Sequence, residues 1–172
     1  MKKNILLFFI FSIFFSLNTK AQSSAHTDKN GLTWYSYLEE ARIISKEKNK
    51  PIFAFFTGSD WCGWCMKLQK DVISKPDFIE WAKENVVLLE LDFPRKKQLS
   101  ADLVEQNNGL QQALGIRGYP TVWLLFAEKN ETTGATNLVT IGSLGYPQGA
   151  TPGKEETKFL SDANLILENF DK

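Results

Sequence analysis

Cysteine and histidine are scarce in this chain: its 172 residues hold two cysteines, Cys62 and Cys65, and one histidine, His26. A structural zinc site takes about four ligands of this kind, so metal binding would need a second chain. Charge of one sign is also lacking, since 20 Lys and Arg balance 20 Asp and Glu. Nucleic-acid binding calls for a clustered basic surface that neutralises phosphates, and nothing of the sort is legible. No apolar run reaches the ~18 residues that a bilayer span requires. Flavin, nicotinamide and phosphate-loop patterns are absent, as are internal repeats and low-complexity tracts. No cofactor is expected beyond the cysteines themselves.

The longest apolar run, residues 5–17, is broken only by Ser12 and Ser16 and follows a positive start at Lys2 and Lys3. Thr19-Lys20-Ala21 then puts small residues three and one before a cut after Ala21, the pattern of a secretory signal. Retention as a membrane anchor is the competing reading, and at 13 positions the run is too short for it. No cysteine follows to accept a lipid. A periplasmic or secreted protein of 151 residues is expected, with no stable membrane insertion after cleavage. Three of the 20 basic residues leave with the signal, so 17 face 20 acidic ones.

Residues 22–33 are polar and aperiodic, and read as a flexible lead-in containing His26. Residues 34–172 form the folded domain. A helix is expected over 34–48, with Thr33 as N-cap and Tyr37, Leu38, Ala41 and Ile44 on one face. IFAFFT (52–57) is apolar without alternation, as in a strand covered on both sides. Helical spacing resumes over 61–73, and Ser74-Lys75-Pro76-Asp77 has the form of a capping box before a helix over 77–84. VVLLELD (86–92) is a second buried strand. Residues 101–114 are helical but interrupted at Asn107-Asn108-Gly109; TVWLLFA (121–127) and 137–143 read as a strand pair. An amphipathic helix closes the chain over 154–170. This order requires an α/β fold with helices on both faces of a mixed sheet of about four strands, its first two buried strands parallel.

Chemistry concentrates at Cys62-Gly63-Trp64-Cys65, a C-x-x-C at the seam between a buried strand and a helix. Unsatisfied backbone N–H groups at a helix start favour thiolate over thiol, and in such sites the thiol pKa can fall from ~8.5 to about 3.5–7.5. Cys62 is the expected nucleophile, an accessible thiol at the helix tip. Cys65, one turn further in, is placed to resolve a mixed disulfide formed at Cys62. A structural disulfide competes with this reading, but closing so short a loop restricts the unfolded chain little. Haem attachment would want His after Cys65, where Met66 stands.

With Trp61-Cys62-Gly63-Trp64-Cys65 opening a helix after one buried strand, and Gly118-Tyr119-Pro120-Thr121 opening another, the chain resembles the thioredoxin superfamily. It is most similar to the secreted bacterial branch carrying a Gly-Ser-Asp-Trp-Cys-Gly-Trp-Cys signature. The resemblance covers about residues 34–170. It implies a three-layer thioredoxin-like sandwich and an exported thiol-disulfide oxidoreductase, a reductase or isomerase that uses the Cys62–Cys65 dithiol. Its partners would be protein thiols and disulfides and a membrane electron donor. It also implies a cis Tyr119–Pro120 bond facing the cysteines. Pro120 then joins the catalytic pair, while Trp61, Gly63, Trp64 and Tyr119 form the substrate surface, backbone groups of Tyr119 pairing with an extended peptide. A peptide-binding or chaperone-like module with a permanently bridged pair is the alternative.

The sequence departs from thioredoxin in two places. Phe53-Ala54-Phe55-Phe56 lacks the buried Asp that thioredoxin keeps beneath its cysteines, and Trp64 replaces the Pro of Cys-Gly-Pro-Cys. Proton transfer at Cys65 must therefore find another route. Asp60 and water are candidates, with Glu90 and Asp92 equally readable as structural.

Overall fold

A computed structural model of the chain describes residues 24–170; the signal segment expected at 1–21 lies outside the described residues. The elements are β1 (His26–Thr27), β2 (Thr33–Tyr35), α1 (Leu38–Lys48), β3 (Ile52–Thr57), α2 (Gly63–Leu68), α3 (Pro76–Asn85), β4 (Val87–Asp92), α4 (Ala101–Ala113), β5 (Thr121–Lys129), β6 (Thr136–Leu144) and α5 (Glu155–Phe170). Helix α2 runs directly into a π-helical turn, Gln69–Ile73.

The strands form one mixed sheet in the order β1-β2-β4-β3-β5-β6. β4 is parallel to both β2 and β3, while β5 is antiparallel to β3 and to β6. All six residues of β3 are buried, because the sheet's centre is covered on both sides. Alternation then divides its side chains. Phe53 and Phe55 face a core with Cys65 and Leu68 of α2, Phe78 and Trp81 of α3, and Phe159 of α5. Ile52, Ala54 and Phe56 face Ala41 of α1 and Leu110 of α4. At the centre of the first core Phe53 meets the rings of Trp34, Phe78, Trp81 and Phe159, with centroids 5.6 to 6.4 Å apart. Truncating a buried Phe typically costs ~3–5 kcal/mol, so this cluster anchors the layer that carries the cysteines.

Helices on both faces of a mixed sheet are as expected; the strand count is six rather than about four. The two extra strands come from the segment read as a flexible lead-in and from the start of the helix expected at residue 34. Asp28 makes the difference: Oδ1 accepts the N–H groups of Asn30 (2.8 Å) and Leu32 (3.0 Å), and Oδ2 accepts Trp34 Nε1 (3.3 Å). This turn folds His26 back onto Trp34, and Trp34 pairs with Leu88 of β4. Thr33 is consequently a strand residue and caps nothing. The α1 start is instead held by Gln106 of α4, which accepts the Leu38 N–H (2.8 Å) and donates to the Ser36 carbonyl (3.0 Å).

Two other local expectations gave way to tertiary partners. The Ser74–Asp77 capping box does not form, since Lys75 is the N-cap of α3 without a side-chain bond; Glu156 of α5 accepts the Phe78 N–H instead (2.9 Å). Helix α4 passes unbroken through Asn107-Asn108-Gly109. Asn107 is buried, and its Nδ2 donates to the Asp92 carbonyl (2.9 Å), satisfying the amide inside the fold.

Candidate active site

The chain leaves β3 at Thr57, and the Gly58 carbonyl at once accepts the N–H groups of Trp61 (3.2 Å) and Cys62 (2.9 Å). That turn brings Cys62 to the N-cap of α2, where its Sγ accepts the Cys65 N–H at 3.1 Å. The two cysteines are joined as a disulfide. Their accessibility is lower than expected for Cys62, at 5% against 2% for Cys65. Bonded to each other, both belong to the apolar core, with Trp61 and Tyr119 packed alongside. Cys62 keeps the larger opening.

Trp61 is held on every side. Its Nε1 donates to the Phe93 carbonyl (2.7 Å), the Arg95 guanidinium lies 3.8 Å from its ring centroid, and the Tyr119 ring meets it edge-on at 5.8 Å. Asp60 fastens the same loop, accepting the N–H groups of Arg95 (2.9 Å) and Lys96 (2.7 Å). The Arg95 N–H is the main reason its carboxyl lies below the usual range. Asp60 thus serves as a clamp for residues 95–97.

Register brings in the other predicted segment. Thr121 pairs with Phe56, so Pro120 lies at the end of β3 from which the cysteine turn departs. The Tyr119–Pro120 bond is cis, and burial raises the Tyr119 phenol. Trp64 turns elsewhere: it is 52% exposed and meets Tyr146 at 5.1 Å between centroids. Tyr146 is tied to α2 and the π-helical turn by Lys67 and by Asp71 Oδ2 (2.9 Å). Gly63 is exposed, and a Cβ there would meet nothing within 4 Å, so no crowding demands glycine. The three predicted aromatics therefore fall on two flanks, Trp61 with Tyr119 on one and Trp64, which packs on Tyr146, on the other.

Behind Cys65 opens a cleft of about 510 Å³ lined by His26, Trp34, Phe55, Thr57, Gln69 and Glu90, among others. Burial, and secondarily the charge of Asp92, raises the Glu90 carboxyl. Asp92 itself is committed: it accepts the Ser59 N–H (2.9 Å), the Ser59 hydroxyl (2.7 Å) and Lys97 Nζ (2.8 Å). Among the described residues no three His, Cys, Asp or Glu side chains converge as metal ligands, and no helix is long and apolar enough to cross a membrane.

Gly58 and Tyr146 were not singled out from the sequence. Gly58 was legible only as a strand break, and Tyr146 lies among the glycines and prolines after β6, with no local pattern to connect it to Trp64.

A family model described as a thioredoxin-like domain matches residues 38–138. The disulfide bond reductase DsbH of Chlamydia pneumoniae is 37% identical over 97 residues, covering 56% of this chain and 58% of that protein. The thioredoxin-related protein DsbJ of the same organism is 28% identical over 149 residues, 87% of this chain and 41% of that protein. The chain thus spans less than two thirds of the length of either relative. A solved DsbH oxidoreductase superposes with a TM-score of 0.64 at 28% identity, covering 80% of this chain and 85% of the other. A thioredoxin from Thermus thermophilus, at 18% identity and a TM-score of 0.54 over 79% of this chain and 87% of the other, shares the fold.

Proposed function

The chain belongs to the thioredoxin-like domain family, and from that premise we propose that it is an exported thiol-disulfide oxidoreductase acting on protein substrates through Cys62 and Cys65. The observation that carries the reading is the cysteine pair at the β3–α2 turn, where Cys62 Sγ receives the Cys65 N–H. Once the disulfide is reduced, that donor and the neighbouring helix-start N–H groups favour negative charge on Cys62.

Cys62 thiolate attacks one sulfur of a substrate disulfide, forming a mixed disulfide and expelling the other substrate sulfur as a thiolate. Cys65, deprotonated, then attacks Cys62 Sγ, re-forming the intramolecular disulfide and releasing the second substrate thiolate. Two electrons pass from the dithiol to the substrate, and a donor dithiol, supplied by a membrane electron donor, restores the pair. The reductase name of one relative favours this direction. Pro120, at the end of β3 from which the cysteine turn departs, completes the catalytic set, and Trp61, Gly63, Trp64 and Tyr119 contact the substrate. The signal segment at 1–21 and cleavage after Ala21 account for export to the periplasm or beyond.

Reduction of insulin disulfides by the mature protein tests this. Wild-type protein should exceed a Cys62→Ser, Cys65→Ser double variant clearly; equal rates would end the reading. The burial of both cysteines favours one other reading, a peptide-binding module whose bridge is permanent. A reduction potential below about −300 mV marks such structural bridges, and a measured value in that range would select it.

A further inference from the structure

The strand registers bring two titratable side chains, Glu90 and His26, onto one face of the sheet. Phe55 pairs with Glu90, Trp34 with Leu88, and His26 with Trp34. Because side chains alternate along a strand, Glu90 shares the face of Leu88, Trp34 and Phe55, which is the face covered by Cys65 and Leu68. Cys65, Glu90 and His26 all line the cleft described above. In β4, whose sequence is otherwise Val-Leu-Leu-…-Leu-Asp, Glu90 is a carboxylate set among apolar neighbours.

Glu90 also differs from the other acids near the cysteines. Asp60 and Asp92 are each saturated by donors, whereas among the described residues nothing donates a hydrogen bond to Glu90. Glu90 is part-buried, and because no fully buried side-chain oxygen or nitrogen lacks a partner among the described residues, its carboxylate opens into the cleft, where it can exchange a proton with water. The cleft is roomy enough for water, which needs only about 10–15 Å³ per molecule, and its polar walls offer partners.

Resting on the oxidoreductase reading, we infer that Glu90 is the group that exchanges a proton with Cys65 through water in this cleft, with the β1–β2 hairpin forming the cleft's outer wall. In the resolving step the Cys65 thiol gives its proton by way of water to the Glu90 carboxylate. The resulting thiolate attacks Cys62 Sγ, the Cys62–substrate bond breaks, and the electron pair leaves on the substrate sulfur. Glu90 then returns the proton to solvent through the cleft mouth. When a donor dithiol reduces the pair, the same path reprotonates Cys65. Burial holds Glu90 above the ordinary carboxylate range, which narrows its gap to a thiol and suits it to reversible transfer. The groups facing it are Asp92 on β4, His26 on β1 and Lys97 beyond β4; Asp28, Lys29 and Lys70 stand on the cleft walls.

The test is stopped-flow reaction of the reduced mature protein with dithiobis(nitrobenzoate), followed by thionitrobenzoate release. The first phase reports attack by Cys62 and the second reports resolution by Cys65. Glu90→Gln should leave the first phase unchanged and slow the second about tenfold or more at neutral pH. Below the pKa of Glu90 the carboxyl is already protonated and cannot accept, so the two proteins should converge in acid; at high pH they should converge again as hydroxide ionises Cys65. Glu90→Asp should restore part of the neutral-pH rate. A second phase identical in wild type and Glu90→Gln at every pH overturns the proposal, and so does equal slowing of both phases, which marks a structural effect. Wild-type protein that releases no second thionitrobenzoate would instead overturn the oxidoreductase reading beneath it.

Discussion

A Cβ built on Gly58 would stand 2.5 Å from Cε2 of Trp61, so the indole ring of the residue next to the nucleophile rests on the bare backbone of Gly58. The ring cannot yield easily, because Phe93, Arg95 and Tyr119 hold it. Gly58→Ala should therefore push Trp61 off the Phe93 carbonyl and destabilise the fold by about 1–3 kcal/mol, as overpacking does. Denaturant unfolding followed by tryptophan fluorescence checks this; an unchanged midpoint with an unchanged native spectrum would refute it.

The cysteine roles predict an asymmetry in trapping. In Cys65→Ser the mixed disulfide formed at Cys62 cannot be resolved, and protein adducts should accumulate. In Cys62→Ser few should form, since the remaining thiol is the more enclosed, at 2% exposure. Non-reducing electrophoresis and mass spectrometry of the adducts would read this out, and more adducts through Cys65 than through Cys62 would reverse the assignment.

Both central strands and the cysteine turn were legible because their signals are local. The unalternating run Ile52–Thr57 announces a strand covered on both sides, and the cysteine pair follows within a few residues. The β1–β2 hairpin was not, since a strand of two residues, His26–Thr27, is too short to display alternation, and the acceptor that folds it back, Asp28, resembles any polar loop residue. Trp34 read equally well as the first apolar residue of a helix until its pairing with Leu88 is known. Glu90 was legible only as an acid in a buried strand, as readable for structure as for proton transfer, because which face of the sheet carries the cysteines is decided by packing between elements distant in sequence. The same holds for Asn107, whose helix-breaking neighbours are overruled by one hydrogen bond to β4.

Asp60 gives a pH dependence with a defined sign. Its carboxyl is lowered in the folded protein by the Arg95 and Lys96 N–H groups, so the folded state favours the ionised form. Stability from this source is fully present above the unfolded-state value of ~3.9 and is lost as pH falls through the lower folded value. Asp60→Asn should then have a lower denaturation midpoint than wild type at neutral pH, with the gap closing in acid. Midpoints measured at both extremes decide it; a gap independent of pH would exclude a charge-based contribution.

Trp64 separates binding from folding. Its ring is half exposed and touches Tyr146 rather than the core, so Trp64→Ala forfeits one aromatic pair, worth ~0.5–1.5 kcal/mol, and leaves no cavity. If this flank contacts substrate, apolar area is lost in the encounter with the polypeptide while the cysteines keep their geometry. Truncation of an interface tryptophan commonly costs more than ~1 kcal/mol, which corresponds to a fall in kcat/KM for insulin reduction of about five- to tenfold, carried mainly by KM. The reaction with dithiobis(nitrobenzoate), too small to span the flank, should be unaffected. Ile43→Ala on α1, equally exposed at 50% but on the opposite layer, supplies the control. Matching insulin kinetics in Trp64→Ala and Ile43→Ala would remove Trp64 from the substrate surface and leave Trp61 and Tyr119 as the flank that reads the polypeptide.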